Sequence, residues 1–139
     1  MTAQNKPIID YNAKKDIWTV REEYLDPDVC VKIPAGFTTD LASIPRILWA
    51  ILPPYALSER APLIHDYLYR FAGKTVEVYS VPYGMLVGHR AFMKSDADKI
   101  FLKIMKDEGV KRWKRITAYY AVKFFAGGVW KKHCEKNLK

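Results

Sequence analysis

His65 is the residue around which this sequence first suggests chemistry. It stands in Ile64-His65-Asp66-Tyr67-Leu68-Tyr69, and on a helix residues four apart share a face, so His65 and Tyr69 stack one turn apart. Asp66 lies about 100° around the same helix, beside Arg70, and adjacent helical positions do not face each other closely. An imidazole acting as general base needs a carboxylate to fix its tautomer, and Asp66 is poorly placed for that task. Asp98 is better placed. It precedes Phe101, Leu102 and Met105 along an apolar helical stripe, and a carboxylate there must find a partner because unpaired burial is costly. His65 is the expected partner, at about 2.7–3.2 Å, with Tyr69 pointing into the same junction. The pair would leave the second imidazole nitrogen to take a proton from water. The same residues also suit a second role, a satisfied polar network that only fixes the register of two helices.

Other reactive groups are few. His89 and His133 are the remaining histidines, and neither precedes His65, which leaves an HD-type metal phosphohydrolase short of ligands. Asp40, in the loop 37–46, either offers oxygen to a metal or substrate over His65 or is an ordinary turn residue, and Ser43 reads as a helix cap. Arg90 is placed to pair with Asp66 or Asp98, or to lie exposed. Cys30 and Cys134 have no metal-ligand spacing and read as small thiols.

The elements that must position these groups follow from local patterning. Residues 16–40 are rich in β-branched and aromatic side chains and predict a two-stranded hairpin turning at Leu25-Asp26-Pro27-Asp28. Ser43 opens a short helix containing Ile47, Leu48, Trp49 and Ile51, which Pro53-Pro54 ends. Ser58, with Glu59 in the first turn, caps a helix reaching about Phe71 that Gly73 stops. A second hairpin spans 75–87, with Pro82-Tyr83-Gly84 as its turn. Ser95 and Asp98 form a capping box for a helix that Gly109 closes, and a last helix covers about 111–126 before Gly127-Gly128. The expectation is an α+β fold with three main helices and two small hairpins in one compact domain. Its parts are an N-terminal hairpin and loop (1–42), a helical core (43–126) with the hairpin 75–87 inserted, and a basic tail (127–139).

With 139 residues, 50% of them hydrophobic, the chain can bury a core without disulfides or metals. The net charge of +8 is uneven: Lys and Arg balance Asp and Glu up to residue 102, and the excess lies beyond it. Such a field attracts phosphate or an acidic protein face. Lys111, Arg112, Lys114 and Arg115 surround Trp113, which suits a phosphate-rich or partner surface. Residues 116–125 carry apolar side chains around much of the helix and are expected to be core. No nucleic-acid module is recognisable, so sequence-specific DNA binding is not expected. Neither a signal peptide nor a run of about 18 apolar residues is present, and a soluble protein made in the cytoplasm is expected.

Three motifs, Phe37-Thr38-Thr39-Asp40-Leu41-Ala42-Ser43-Ile44-Pro45-Arg46, Ile64-His65-Asp66-Tyr67-Leu68-Tyr69 and Ser95-Asp96-Ala97-Asp98-Lys99-Ile100-Phe101, resemble in their order a small phage- and prophage-borne family classified as a domain of unknown function. That resemblance implies a phage or prophage origin, with other virion proteins as partners and a passage from host cytoplasm to virion. A narrower resemblance is to secreted phospholipase A₂, carried by His65-Asp66-x-x-Tyr69 and the later Asp98 with Phe101. It implies that His65 is the general base, Asp66 a calcium ligand, and Asp98 and Tyr69 the braces of the histidine. It also implies a phospholipid surface as the place of action. Residues 52–63 carry no glycine where that family has its Gly-rich calcium loop, and the disulfide framework is absent. Two functions therefore stand at this point: a virion-associated, phospholipase-like hydrolase, and a non-enzymatic tail or head-tail component in which the cluster only locks helices.

Overall fold

The computed structural model of the protein describes residues 6–15, 17–40, 59–81 and 83–138. The short helix expected after Ser43, the cap at Ser58 and Pro82 in the second turn lie outside them. The fold is α+β. The chain divides into two compact units: residues 1–40 with 75–91, which hold the described strands, and residues 41–74 with 92–139, which hold the described helices.

In the strand unit, the hairpin expected over 16–40 is replaced by two separate pairings. Strand β2 (Ile17–Val20) pairs antiparallel with β1 (Ile9–Asn12) on one side and β5 (Thr38–Thr39) on the other. Strand β3 (Tyr24–Leu25) pairs with β4 (Lys32–Ile33) across the Asp26-Pro27-Asp28 turn. Asp26 explains why that turn is so tight. Its buried carboxylate accepts from the backbone N–H of Asp28 (3.1 Å) and Val29 (2.9 Å) and from the Tyr24 hydroxyl (3.1 Å), an Asx-type turn that leaves only two residues on each side to pair. β2 takes its partners elsewhere, and Tyr11 of β1 lies opposite Trp18 with ring centres 4.5 Å apart, a cross-strand aromatic pair.

The second hairpin forms as expected and runs further. β6 (Thr75–Tyr79) pairs with β7 (Leu86–Ala91), so His89 and Arg90 are strand residues of this unit. Gly84 adopts φ +71° in its turn, a left-handed conformation that suits glycine, and Lys32 Nζ donates to the Gly84 carbonyl at 2.8 Å. The Tyr79 hydroxyl donates to Glu77 at 2.5 Å, and this bond pushes the phenol up to about 12.

The helical unit is built from α1 (Arg60–Arg70), α2 (Lys94–Asp107), α3 (Arg112–Phe125) and α4 (Gly127–Asn137). α1 is buried at every position except Arg70, so it is the central element of the unit. α2 buries Ala97, Asp98, Phe101, Ile104 and Met105, one helical stripe that includes its carboxylate. Arg60 at the start of α1 lies 3.9 Å from Glu108 beyond the end of α2, while His65 and Tyr69 further along α1 meet Asp98 near the start of α2. The two helices are therefore antiparallel. Gly109, at φ +80°, ends α2 with paired bonds from its own N–H to Lys106 O and from Val110 N–H to Met105 O, a Schellman ending. The start of α2 differs from the expected Ser95–Asp98 box. Met93 is the cap residue, and its N–H donates to Asp96 at 2.9 Å, which leaves Asp98 for another task.

Two expectations for the C-terminal quarter are corrected. Residues 127–139, read as a basic tail, contain α4, so the described residues hold four helices instead of three. α3 ends just before Gly127 and Gly128, as expected, but these glycines then open α4. A helical glycine costs about 1 kcal/mol relative to alanine, and α4 recovers this by packing on α1: Trp130 meets the Tyr69 ring edge-on at 5.1 Å, and Asn137 Nδ2 donates to the carbonyls of Arg70 (2.8 Å) and Ala72 (3.0 Å). The second correction concerns 116–125, expected as core: Ile116, Tyr120, Phe124 and Phe125 are exposed, and α3 buries only Ala118, Ala121 and Val122. The buried face of α3 thus carries its smaller side chains, and the large ones point outward.

The capping role of Asn137 is testable. Asn137→Ala is expected to cost about 1 kcal/mol, the usual net value of such bonds at a partly wet helix end, when urea unfolding of variant and wild type is compared. A loose tail would give no change. Among the described residues, no helix is long and apolar enough to cross a membrane.

Candidate active site

His65, Tyr69 and Asp98 come together as their spacing suggests. His65 Nε2 is 2.7 Å from Asp98 Oδ1, and the Tyr69 hydroxyl donates to the same oxygen at 2.6 Å. The second carboxylate oxygen, Oδ2, accepts from Lys94 Nζ at 2.7 Å. His65 is 1% exposed and Asp98 2%, and the imidazole is flanked by the rings of Tyr69 at 4.2 Å and Phe101 at 4.8 Å. Antiparallel packing supplies this geometry: α1 contributes His65 and Tyr69 from one face, and α2 contributes Asp98 with Lys94 one turn before it.

Lys94 is the member the sequence reading missed. Its ammonium donates to Asp98 and also to the backbone carbonyls of Val122 (3.0 Å) and Lys123 (3.2 Å) near the end of α3. Those three acceptors match its three protons. They also place a cation at the negative end of the α3 dipole. The available signal was the Lys94–Asp98 spacing of i,i+4, which puts the two side chains on one face.

The electrostatics follow from these bonds. Burial favours the neutral form of Asp98, but the donors from His65, Lys94 and Tyr69 outweigh it and hold the carboxyl below its ordinary value. Burial, followed by the bond to Asp98, raises the Tyr69 phenol, so it remains a proton donor. For His65, burial alone would lower the imidazole, but the carboxylates of Asp66 and Asp98 more than compensate and raise it above 6.5. An ionised Asp98 only accepts, so Nε2 carries a proton. The basic nitrogen of the neutral ring is then Nδ1. It lies 3.9 Å from Asp66 Oδ1, near enough for attraction and too far for a direct hydrogen bond.

Stability should follow the pH accordingly. The raised His65 contributes stability that is complete below 6.5 and is lost as pH rises through its folded-state value. The depressed Asp98 contributes stability that is complete above the ordinary carboxylate range and is lost as pH falls through its own lowered value. Urea unfolding across pH should show both limbs, and His65→Gln should remove the alkaline one. An alkaline limb that persists in this variant would assign it to another group.

The remaining candidate residues fall in both units. Asp40 lies in the strand unit, next to β5, and Asp66 belongs to the helical unit. The loop from Leu41 onward lies outside the described residues. Calcium takes six to eight oxygens, and no group of three or more His, Cys, Asp or Glu among the described residues could hold a metal ion. Arg112 and Trp113 are exposed on α3, as is Lys111 before it, while Lys114 and Arg115 are half-buried and Arg115 Nη1 donates to Val110 O at 3.0 Å. Cys30 and Cys134 are both free and half-buried. His133, half-buried in α4, is lowered by burial and then by Arg70.

Comparison with known proteins gives a single finding. A family model described as Protein of unknown function (DUF1353) matches residues 18–122, which takes in β2 through most of α3 and every member of the His65 cluster. No curated protein and no solved structure matches the chain.

Proposed function

The chain belongs to that family of unknown function, and we propose that it is an ester hydrolase of phospholipase type in which His65 is the general base. The observation that carries this reading is the bracing of the imidazole. Nε2 is held by an ionised Asp98 that Tyr69 and Lys94 fix in turn, so the ring is presented in the tautomer whose Nδ1 can accept a proton. In the proposed step, Nδ1 takes a proton from water while the water oxygen bonds to the ester carbonyl carbon. The imidazolium, stabilised by Asp98 and Asp66, then returns that proton to the departing alkoxide as the ester C–O bond breaks. At 1% exposure, His65 meets water only when its surroundings open, so the resting chain should turn over slowly.

We place this activity in a phage or prophage setting, with the protein made in the host cytoplasm, carried in the virion and directed at the host envelope. The three ordered motifs around Asp40, His65 and Asp98 support that setting. The burial of His65 favours a second reading, a virion assembly protein in which the cluster only locks α1 to α2. Fatty-acid release from phospholipid vesicles, with and without calcium, decides between them. Release by the wild type sustains the hydrolase, and its absence under both conditions leaves the structural role.

A further inference from the structure

Helix α3 is inside out. It buries Ala118, Ala121 and Val122, whereas Trp113, Ile116, Tyr120 and Phe124 face outward. These four recur every three or four residues and so form one stripe along the helix; Trp113 is 53% exposed and Phe124 68%. Cations edge the stripe. Lys123 Nζ lies 5.9, 5.7 and 5.8 Å from the ring centres of Tyr119, Tyr120 and Phe124, and Lys114 Nζ lies 5.7 Å from that of Trp113. From Gly109 to Cys134 the chain has no Asp or Glu. The first turn of α3 carries Arg112, Lys114 and Arg115 with no acid, at the helix end whose dipole is already positive. Arg115 is tied to Val110 O, but the four side chains of the stripe still lie largely in water beside a cationic helix end, and an anionic partner with an apolar layer beneath its charge would complement both.

We propose that this face of α3 docks on a phospholipid surface containing anionic headgroups. Ammonium groups lie beside the rings, as in helices that rest in the headgroup region with aromatic side chains at the acyl boundary and lysines at the phosphates. A second copy of this chain would set one cationic flank against another. A nucleic acid would satisfy the cations and leave the apolar stripe in water. The proposal stands whether or not His65 is catalytic.

Vesicles of ether-linked phosphatidylcholine, with or without ether-linked phosphatidylglycerol, test it, because they contain no ester to cleave and report binding apart from turnover. The wild type should float with the phosphatidylglycerol vesicles and not with phosphatidylcholine alone. Each cation near an anionic surface contributes about fivefold in affinity, so Arg112→Glu with Lys123→Glu should weaken binding by roughly 25-fold or more. Tyr120→Ser with Phe124→Ser should also abolish flotation. Both variants should keep the wild-type circular dichroism, since the replaced side chains are exposed. Absence of wild-type flotation, or equal flotation by these variants, overturns the proposal. So does a wild-type dimer that Tyr120→Ser with Phe124→Ser dissociates, which would assign the stripe to a second copy.

Discussion

Asp98→Ala should destabilise the helical unit by about 3–5 kcal/mol, the usual cost of removing one partner from a buried ion pair. Three donors lose their acceptor at once: His65 Nε2, the Tyr69 hydroxyl and Lys94 Nζ. Lys94 keeps two carbonyls and has a partly exposed side chain, so its loss is the smallest. His65 and Tyr69 are each 1% exposed and have no comparable recourse. Equilibrium urea unfolding at neutral pH measures the change. Asp98→Asn, which keeps the volume and one carbonyl acceptor, should cost less than alanine. A loss below about 1 kcal/mol for alanine would mean that water or another group takes over the three donors, and the cluster would then lose its claim to rigidity.

His65→Gln should lower ester turnover by about 10²–10⁴-fold, the range for removing a general base. Glutamine can still donate an amide proton toward Asp98, so most of the α1–α2 contact survives and the effect on rate separates from the effect on folding. The pH dependence adds an independent check. A base must be unprotonated to act, and His65 is raised above 6.5, so the wild-type rate should climb with pH and reach half its plateau above that value. A variant that retains full turnover would remove His65 from the chemistry while leaving its place in the fold intact.

The meeting of His65, Tyr69 and Asp98 was legible because helical spacing specifies a face and a carboxylate on an apolar face demands a partner. Lys94 was equally readable from i,i+4 spacing, but its tie to the Val122 and Lys123 carbonyls required knowing where α3 ends relative to α2. The direction of α3 was not legible. Periodicity identifies a stripe and its opposite side without saying which is buried, and here the face with Ala118, Ala121 and Val122 turns inward. β1 is hidden in the sequence for a different reason. Ile9 and Tyr11 alternate with Asp10 and Asn12, a short half-exposed pattern that becomes a strand through its pairing with β2. At Gly127-Gly128 α3 ends as its local signal says, but the same glycines open α4, whose packing on α1 no local signal announces.

The Lys94 ammonium also connects two places that are otherwise unrelated. It holds Asp98 with one proton and the last turn of α3 with the others, so the charge balance at His65 and the position of that turn share one cation. Two equilibria that share a group are thermodynamically linked, and the linkage is reciprocal. A ligand that shifts the end of α3 and draws Lys94 from Asp98 changes the proton affinity of His65 by some factor, and protonating His65 then changes that ligand's affinity by the same factor. Proton release measured on binding, in buffers of different ionisation enthalpy, would give that factor directly.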